Sequence, residues 1–231
     1  MQLGHFFHTK EQTMDKSYDY TRQIYWKPML CYSILKRIMD ITFSFFGILF
    51  SFPIMLMIVL LIKFESTGPA IYKQERVGYL GEKFYIFKFR TMFTDERPRK
   101  VIFSKEQRDR FRKEYKLNND PRITKIGRIL RITSLDELPQ LFNILLGDMS
   151  LVGPRPVLQT ETEFYGMNRD LLLSVTPGLT GYWQAYGRNN VTYDDGRMEM
   201  ELYYVRNQSL ILDIKILIQT VISVICQKGA Q

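Results

Sequence analysis

Two acidic side chains stand next to each other in Ser134-Leu135-Asp136-Glu137-Leu138-Pro139-Gln140. Adjacent carboxylates can hold a divalent cation, and an ionised aspartate is a competent nucleophile toward phosphorus. The same residues have a plainer reading. Ser134 as N-cap with Glu137 three residues on is a capping box, and acidic side chains in a first turn are favoured by the helix dipole. Such a helix start would also keep Asp136 ionised and offer free N–H groups to a phosphate. A second candidate is Gly153-Pro154-Arg155-Pro156, where two prolines restrict the backbone around one guanidinium and lower the entropy lost in a bidentate phosphate contact. A simple turn is the alternative there, with Asp148 upstream either capping or joining a metal shell.

Rival constellations are missing. The chain has no GxGxxG or GxxxxGK[ST] phosphate loop, no GxSxG elbow and no HExxH, and no two aspartates at DxD spacing. His5 and His8 lie in a polar N-terminal stretch, and Asp194-Asp195 reads as a turn. Cys31 and Cys226 are far apart with no CxxC, which argues against a disulfide framework or a zinc site and for a reducing compartment.

The elements that must position these residues begin with an uncharged run over residues 41–62, ITFSFFGILFSFPIMLMIVLLI, long enough as a helix to cover about 33 Å. Pro53 near its middle removes a backbone donor and predicts a break or kink, with Ser51 placed to satisfy freed carbonyls. Lys27, Lys36 and Arg37 precede the run and Lys63, Lys73 and Arg76 follow it, so both ends favour the same side of a membrane. A helix that enters, turns at the proline and leaves through the same leaflet satisfies this, and a kinked span is the alternative. The stretch AIYKQERVGYLGEKFYIFKFRTM reads as a β-hairpin with Gly78 and Gly81 at its loop. Period two then puts Phe84, Ile86, Lys88 and Arg90 on one face, so that two cations are placed to grip a phosphate. TKIGRILRITSLDELPQLFNILLGD resolves into two short helices, the second with Leu135, Leu138, Phe142 and Leu145 on an apolar stripe. LILDIKILIQTVISVIC, interrupted by Asp213 and Lys215, fits a packed or interface-lying helix better than a span.

With 231 residues and 45% hydrophobic content, the chain buries enough apolar surface to exclude wholesale disorder. Its formal charge of +8 points to an anionic partner. Thirteen Lys or Arg against six Asp or Glu lie between Asp95 and Arg131, and within that belt the charge-dense stretch over 95–119 reads as a solvated surface helix, placed also to lie over anionic headgroups. No aromatic-basic recognition motif supports a nucleic-acid partner.

These motifs together resemble the bacterial sugar transferases, the monotopic polyprenyl-phosphate phosphoglycosyl transferases. The resemblance covers residues 36–231 and rests on Lys36, Arg37 and Asp40 before the apolar run, QERVG (residues 74–78), KFRTM (88–92), SLDELPQLFN (134–143), GDMSLVGPRP (147–156) and TPGLTGYWQAYGRN (176–189). It implies an α+β, mainly helical fold: a tail over 1–35, a re-entrant helix-break-helix over 36–63, and a cytosolic catalytic domain over 64–231 with a short hairpin and interface-lying amphipathic helices, at the cytoplasmic face of the plasma membrane. By that likeness Asp136 and Glu137 are the catalytic dyad and would bind Mg2+. Asp136 would attack the sugar-linked phosphate of a UDP-sugar, release UMP and pass hexose phosphate, galactose or glucose, to undecaprenyl phosphate for exopolysaccharide or capsule assembly. Arg155, with Arg131, Lys88 and Arg90, would clamp phosphate oxygens. A homo-oligomer is a further expectation. One departure is Phe52, where family members often place a serine directly before the proline. An anchored glycosyltransferase releasing UDP, and a non-catalytic lipid-binding module, are the competing readings.

Overall fold

The computed structural model describes residues 30–94, 120–187 and 196–225. The tail before residue 30, the charge-dense segment over 95–119, Asp194-Asp195 and Cys226 lie outside them.

Helix α1, Leu30–Glu65, runs for 36 residues, about 54 Å at 1.5 Å per residue. It starts earlier than the expected residue 36 and stays helical through Pro53, so the two expected helices are one element, within which a proline can bend the axis without ending the helix. Ser51 Oγ donates to Met55 Sδ at 3.5 Å rather than to a freed carbonyl. By length and composition α1 is able to cross a membrane.

Strands β1, Ile71–Val77, and β2, Lys83–Phe89, form the expected antiparallel hairpin, with Tyr72 opposite Lys88 and Val77 opposite Lys83. Gly81 takes φ +85° at the tip, a conformation without penalty only for glycine. Helix α2, Lys125–Thr133, is capped by Thr124, whose Oγ1 accepts from Gly127 N at 2.8 Å. A 3-10 turn over Leu135–Glu137 leads to α3, Gln140–Leu146. Strand β3, Ser150–Val152, pairs in parallel with β4, Gly178–Thr180. Between them lie a 3-10 stretch, Thr160–Asn168, and α4, Arg169–Leu173. Helices α5, Tyr182–Tyr186, α6, Arg197–Arg206, and α7, Leu210–Ile225, complete the described chain. The architecture is mostly helical with two small sheets.

The apolar stripe expected on Leu135, Leu138, Phe142 and Leu145 does not form. Pro139 in the interior of a helix starting at Ser134 would clash with the carbonyl four residues back, so residues 135–137 tighten into a 3-10 turn and the helical phase restarts at Gln140. The buried face of α3 is Gln140, Leu141, Asn143 and Ile144, while Phe142 is exposed.

Both ends of α1 are tied to this one body. Near its start, Lys36 Nζ pairs with the fully buried Asp213 of α7 at 2.9 Å, and Arg37 donates to the carbonyls of Ile144 and Leu145 at 2.7 and 3.0 Å. Asp40 accepts from Ser150 Oγ at 3.0 Å and Leu151 N at 2.9 Å. Near its end, Glu65 accepts from Lys125 N and Ile126 N, two orphan donors at the start of α2, at 2.6 and 3.0 Å. Met55, Ile58 and Ile62 pack with Ala70, Phe89 and Leu130. Residues 45–54 between these anchor points include no buried side chain, and Phe45, Phe46, Phe50 and Phe52 are exposed. Helix α7 also has two faces: Asp213 and Ile216 are fully buried, while Ile211, Ile214, Ile218, Val221 and Ile222 are exposed.

Candidate active site

Asp136 and Glu137 sit in the 3-10 turn between α2 and α3. Ser134 enters that turn with φ +59°, a left-handed conformation that costs a non-glycine residue roughly 1 kcal/mol or more. It ends α2 through its backbone N–H to Arg131 O, and its side chain makes no capping hydrogen bond. The expected capping box is therefore absent. With it goes the expectation that a helix start keeps Asp136 ionised. Burial and the neighbouring Glu137 push the Asp136 carboxyl up to about 6, outweighing the opposing charges of Lys88 and Arg131.

Glu137 behaves in the opposite way. Burial works against its charge, but Lys88, Arg155 and Gln140 more than offset it and hold this carboxyl below its usual range. Lys88 Nζ donates to Glu137 Oε1 at 2.6 Å, both side chains being half-buried. Two carboxylates pushed apart in this way have different tasks open to them: one with raised basicity, one firmly anionic.

Lys88 is in place because α3 holds β2. The fully buried Asn143 donates from Nδ2 to Tyr85 O at 2.8 Å and accepts at Oδ1 from Phe87 N at 3.0 Å, a side-chain amide standing in for a neighbouring strand. Its Nδ2 also reaches Asp148 Oδ2 at 3.3 Å, so the described contact of Asp148 is with this amide. Arg131, in the last turn of α2, directs its charge at Asp136 and donates from Nε to Thr91 Oγ1 at 2.9 Å.

Arg155 is presented by a turn clamped on two sides. Gly178 N donates to Pro154 O at 2.8 Å and Gly153 N to Thr180 O at 2.9 Å, while Val77 N donates to Val157 O at 2.9 Å and Arg76 reaches Pro156 O at 3.4 Å. The approach at Gly178 is too close for any side chain, since a Cβ there would lie 2.1 Å from Gly153 N. Arg155 acts on Glu137 from one direction and on the buried Glu201 of α6 from another, and its buried Nε has no hydrogen-bond partner among the described residues. A fixed guanidinium with a spare buried donor beside two carboxylates suits an arriving phosphate.

Of the expected phosphate ligands, Lys88, Arg131 and Arg155 thus converge on the dyad. Arg90 does not join them. It lies one residue past the end of β2, is buried, and donates to Ser66 O and Thr67 O, each at 2.7 Å, tying the chain at the end of α1. Strand alternation alone cannot see where the strand stops. Asn143, Gln140 and Gly178 carry no residue type or spacing that marks them as functional, and Arg76 is visible in the sequence only as a positive charge after the apolar run; the signal for all four is their place beside the charged residues of the QERVG, SLDELPQLFN and TPGLTGYWQAYGRN motifs.

Among the described residues there is no group of three or more acidic, histidine or cysteine side chains able to enclose a metal ion. Asp136 and Glu137 fit a different arrangement, in which the protein supplies one or two carboxylates and substrate phosphates and water complete an octahedron, the usual manner for Mg2+.

A profile of the family described as bacterial sugar transferase matches residues 31–227. An undecaprenyl-phosphate galactose phosphotransferase of Salmonella typhimurium is 44% identical over 199 residues, covering 85% of this chain and 41% of the relative. An uncharacterized sugar transferase of Haemophilus influenzae is 46% identical over 200 residues, covering 85% of this chain and 42% of the relative. The exopolysaccharide production protein ExoY of Sinorhizobium fredii is 39% identical over 200 residues, covering 85% of this chain and 88% of its own length. The chain thus spans less than half of the first two and most of the third.

Proposed function

The chain belongs to the bacterial sugar transferase family, and we propose that it moves a hexose 1-phosphate from a UDP-sugar to undecaprenyl phosphate through a covalent bond to Asp136. The observation that carries this reading is the half-buried Asp136–Glu137 pair ringed by Lys88, Arg131 and Arg155. A diphosphate against these cations brings its sugar-linked phosphorus to Asp136. A carboxylate oxygen forms a bond to that phosphorus, the bond to the bridging oxygen of the uridine-linked phosphate breaks, and UMP leaves with the electron pair. An oxygen of undecaprenyl phosphate then attacks the same phosphorus, breaks its bond to Asp136 and restores the carboxylate. One phosphoanhydride is exchanged for another, so no further energy source is needed, and donor and acceptor use one phosphate pocket in turn. Mg2+ held by Asp136 and Glu137 would neutralise diphosphate charge. Arg155, Arg131 and Lys88 orient the phosphate oxygens and stabilise charge that builds on them. Galactose or glucose is the proposed sugar, with the Salmonella relative's name favouring galactose.

Incubation with a panel of UDP-sugars, Mg2+ and undecaprenyl phosphate tests the reaction class and the donor together. UMP is expected as the nucleotide product. UDP instead would replace this reading with direct displacement.

We further propose that α1 enters and leaves the membrane through the cytoplasmic leaflet. Support comes from its two ends, both bonded to the same polar body, and from the exposed phenylalanines between them. A straight span would put those ends about 30 Å apart across hydrocarbon. In a Cys226→Ser background, the native exposed Cys31 and an introduced Lys63→Cys are both expected to react with an impermeant maleimide in inverted vesicles and neither in right-side-out vesicles. Opposite sidedness of the two would establish a span.

A further inference from the structure

Thr91 follows Arg90 in the KFRTM motif and is 7% exposed. It is fixed from two sides. Its carbonyl accepts from Thr124 N at 3.0 Å, and a Cβ on Gly127 would lie 2.1 Å from that same oxygen, so the first turn of α2 rests directly on the Thr91 backbone. Arg90 beside it donates from its backbone N to Ala70 O at 2.8 Å and from its side chain to Ser66 O and Thr67 O. The Thr91 hydroxyl therefore has a set position relative to the end of α1 and the start of α2.

That hydroxyl accepts from Arg131 Nε at 2.9 Å, across 40 residues of sequence. A guanidinium carries donors only, so the hydroxyl oxygen is the acceptor. Among the described residues this is the hydrogen bond of the Arg131 side chain, and it occupies the inner nitrogen of the fork. Both outer nitrogens are left to an arriving anion. Arg131 O also accepts from Ser134 N at 3.3 Å, so the turn that carries Asp136 starts on Arg131 itself, and the guanidinium charge acts on Asp136. We propose that Thr91 is a positioning residue whose hydroxyl holds Arg131 by its inner nitrogen and so presents the two outer nitrogens, end-on, to the sugar-linked phosphate at Asp136. Such a fork matches two oxygens of one phosphoryl group. The assignment rests on the phosphoglycosyl transfer reading. Lys88 and Thr91 then belong to one short segment that sets two cations of the site, the first as its own side chain and the second through a hydrogen bond.

The test uses the full chain, the UDP-sugar of highest turnover in the panel, Mg2+ and undecaprenyl phosphate, and compares wild type with Thr91→Val, Thr91→Ser, Arg131→Met and the Thr91→Val/Arg131→Met double variant. Thr91→Val keeps the shape and removes the acceptor. Its kcat is expected to fall about 10- to 100-fold, the scale of a misplaced orienting group. Thr91→Ser restores the acceptor on a smaller side chain and is expected to lie within about threefold of wild type. In the Arg131→Met background, where no guanidinium remains to be aimed, Thr91→Val is expected to cost less than about twofold, because two residues acting through one contact are not additive. Undiminished kcat in Thr91→Val overturns the role. A loss that Thr91→Ser shares, or that is as large in the Arg131→Met background as in wild type, assigns Thr91 to packing and overturns it equally. If the wild type itself releases no UMP, the underlying reading fails and the role goes with it, an outcome distinct from wild-type release with a fully active Thr91→Val.

Discussion

Asp136→Asn is expected to abolish phosphosugar transfer, by about 10^4-fold or more for loss of an attacking group, while making the protein more stable at neutral pH. The two effects share one cause. The carboxyl titrates at about 6 against an ordinary 3.8, because burial and Glu137 disfavour its charge. The charged form is thus penalised in the folded state at any pH above 6, the penalty shrinks as pH falls through 6, and it is gone below about 4, where the group is protonated folded or unfolded. The full shift would correspond to about 3 kcal/mol, and solvent reaching the half-buried carboxyl lowers the expectation to about 1–2 kcal/mol. Melts of metal-free protein at pH 7.5 should therefore place the asparagine variant above wild type, and the gap should close by pH 4. A variant that keeps turning over, or that melts lower at pH 7.5, contradicts the role given to Asp136.

Arg155→Lys is the second substitution with a large expected effect. It retains the charge acting on Glu137 and Glu201 but replaces a planar fork by a mobile point charge. The turn that carries it is fixed from both sides by Gly178, Arg76 and Val77, so the geometry of the fork is what the fold has been built to hold. Loss of one such donor set from a transition-state site commonly lowers kcat by about 10^2- to 10^3-fold. That loss is expected here, with melting unchanged. Wild-type kcat in Arg155→Lys would remove the guanidinium from the phosphate cradle.

The hairpin and Lys88 were legible in the sequence because strand alternation is a local property: Phe84, Ile86 and Lys88 share the inner face whatever the rest of the chain does. Arg90 was not, because its partners are carbonyls at residues 66 and 67. The dyad could be located but not its environment. Proline chemistry at Pro139 decides that residues 135–137 form a tight turn rather than an α-helix start, and that turn lets burial raise Asp136 where a helix dipole would have lowered it. Lys36, Arg37 and Asp40 were visible as a charged group before an apolar run. Their bonds to α7, α3 and β3, more than a hundred residues away, are what join the membrane helix to the elements on either side of the site. Such long-range pairing leaves no periodic trace.

The central claim is a bond between Asp136 and phosphorus. Wild-type protein incubated with UDP-sugar labelled at the sugar-linked phosphorus, with Mg2+ but no lipid acceptor, is expected to retain label after denaturation, to lose it to hydroxylamine as an acyl phosphate does, and to map it to the peptide carrying Asp136. Turnover to undecaprenyl diphosphate sugar with no label ever held by the protein would contradict the account.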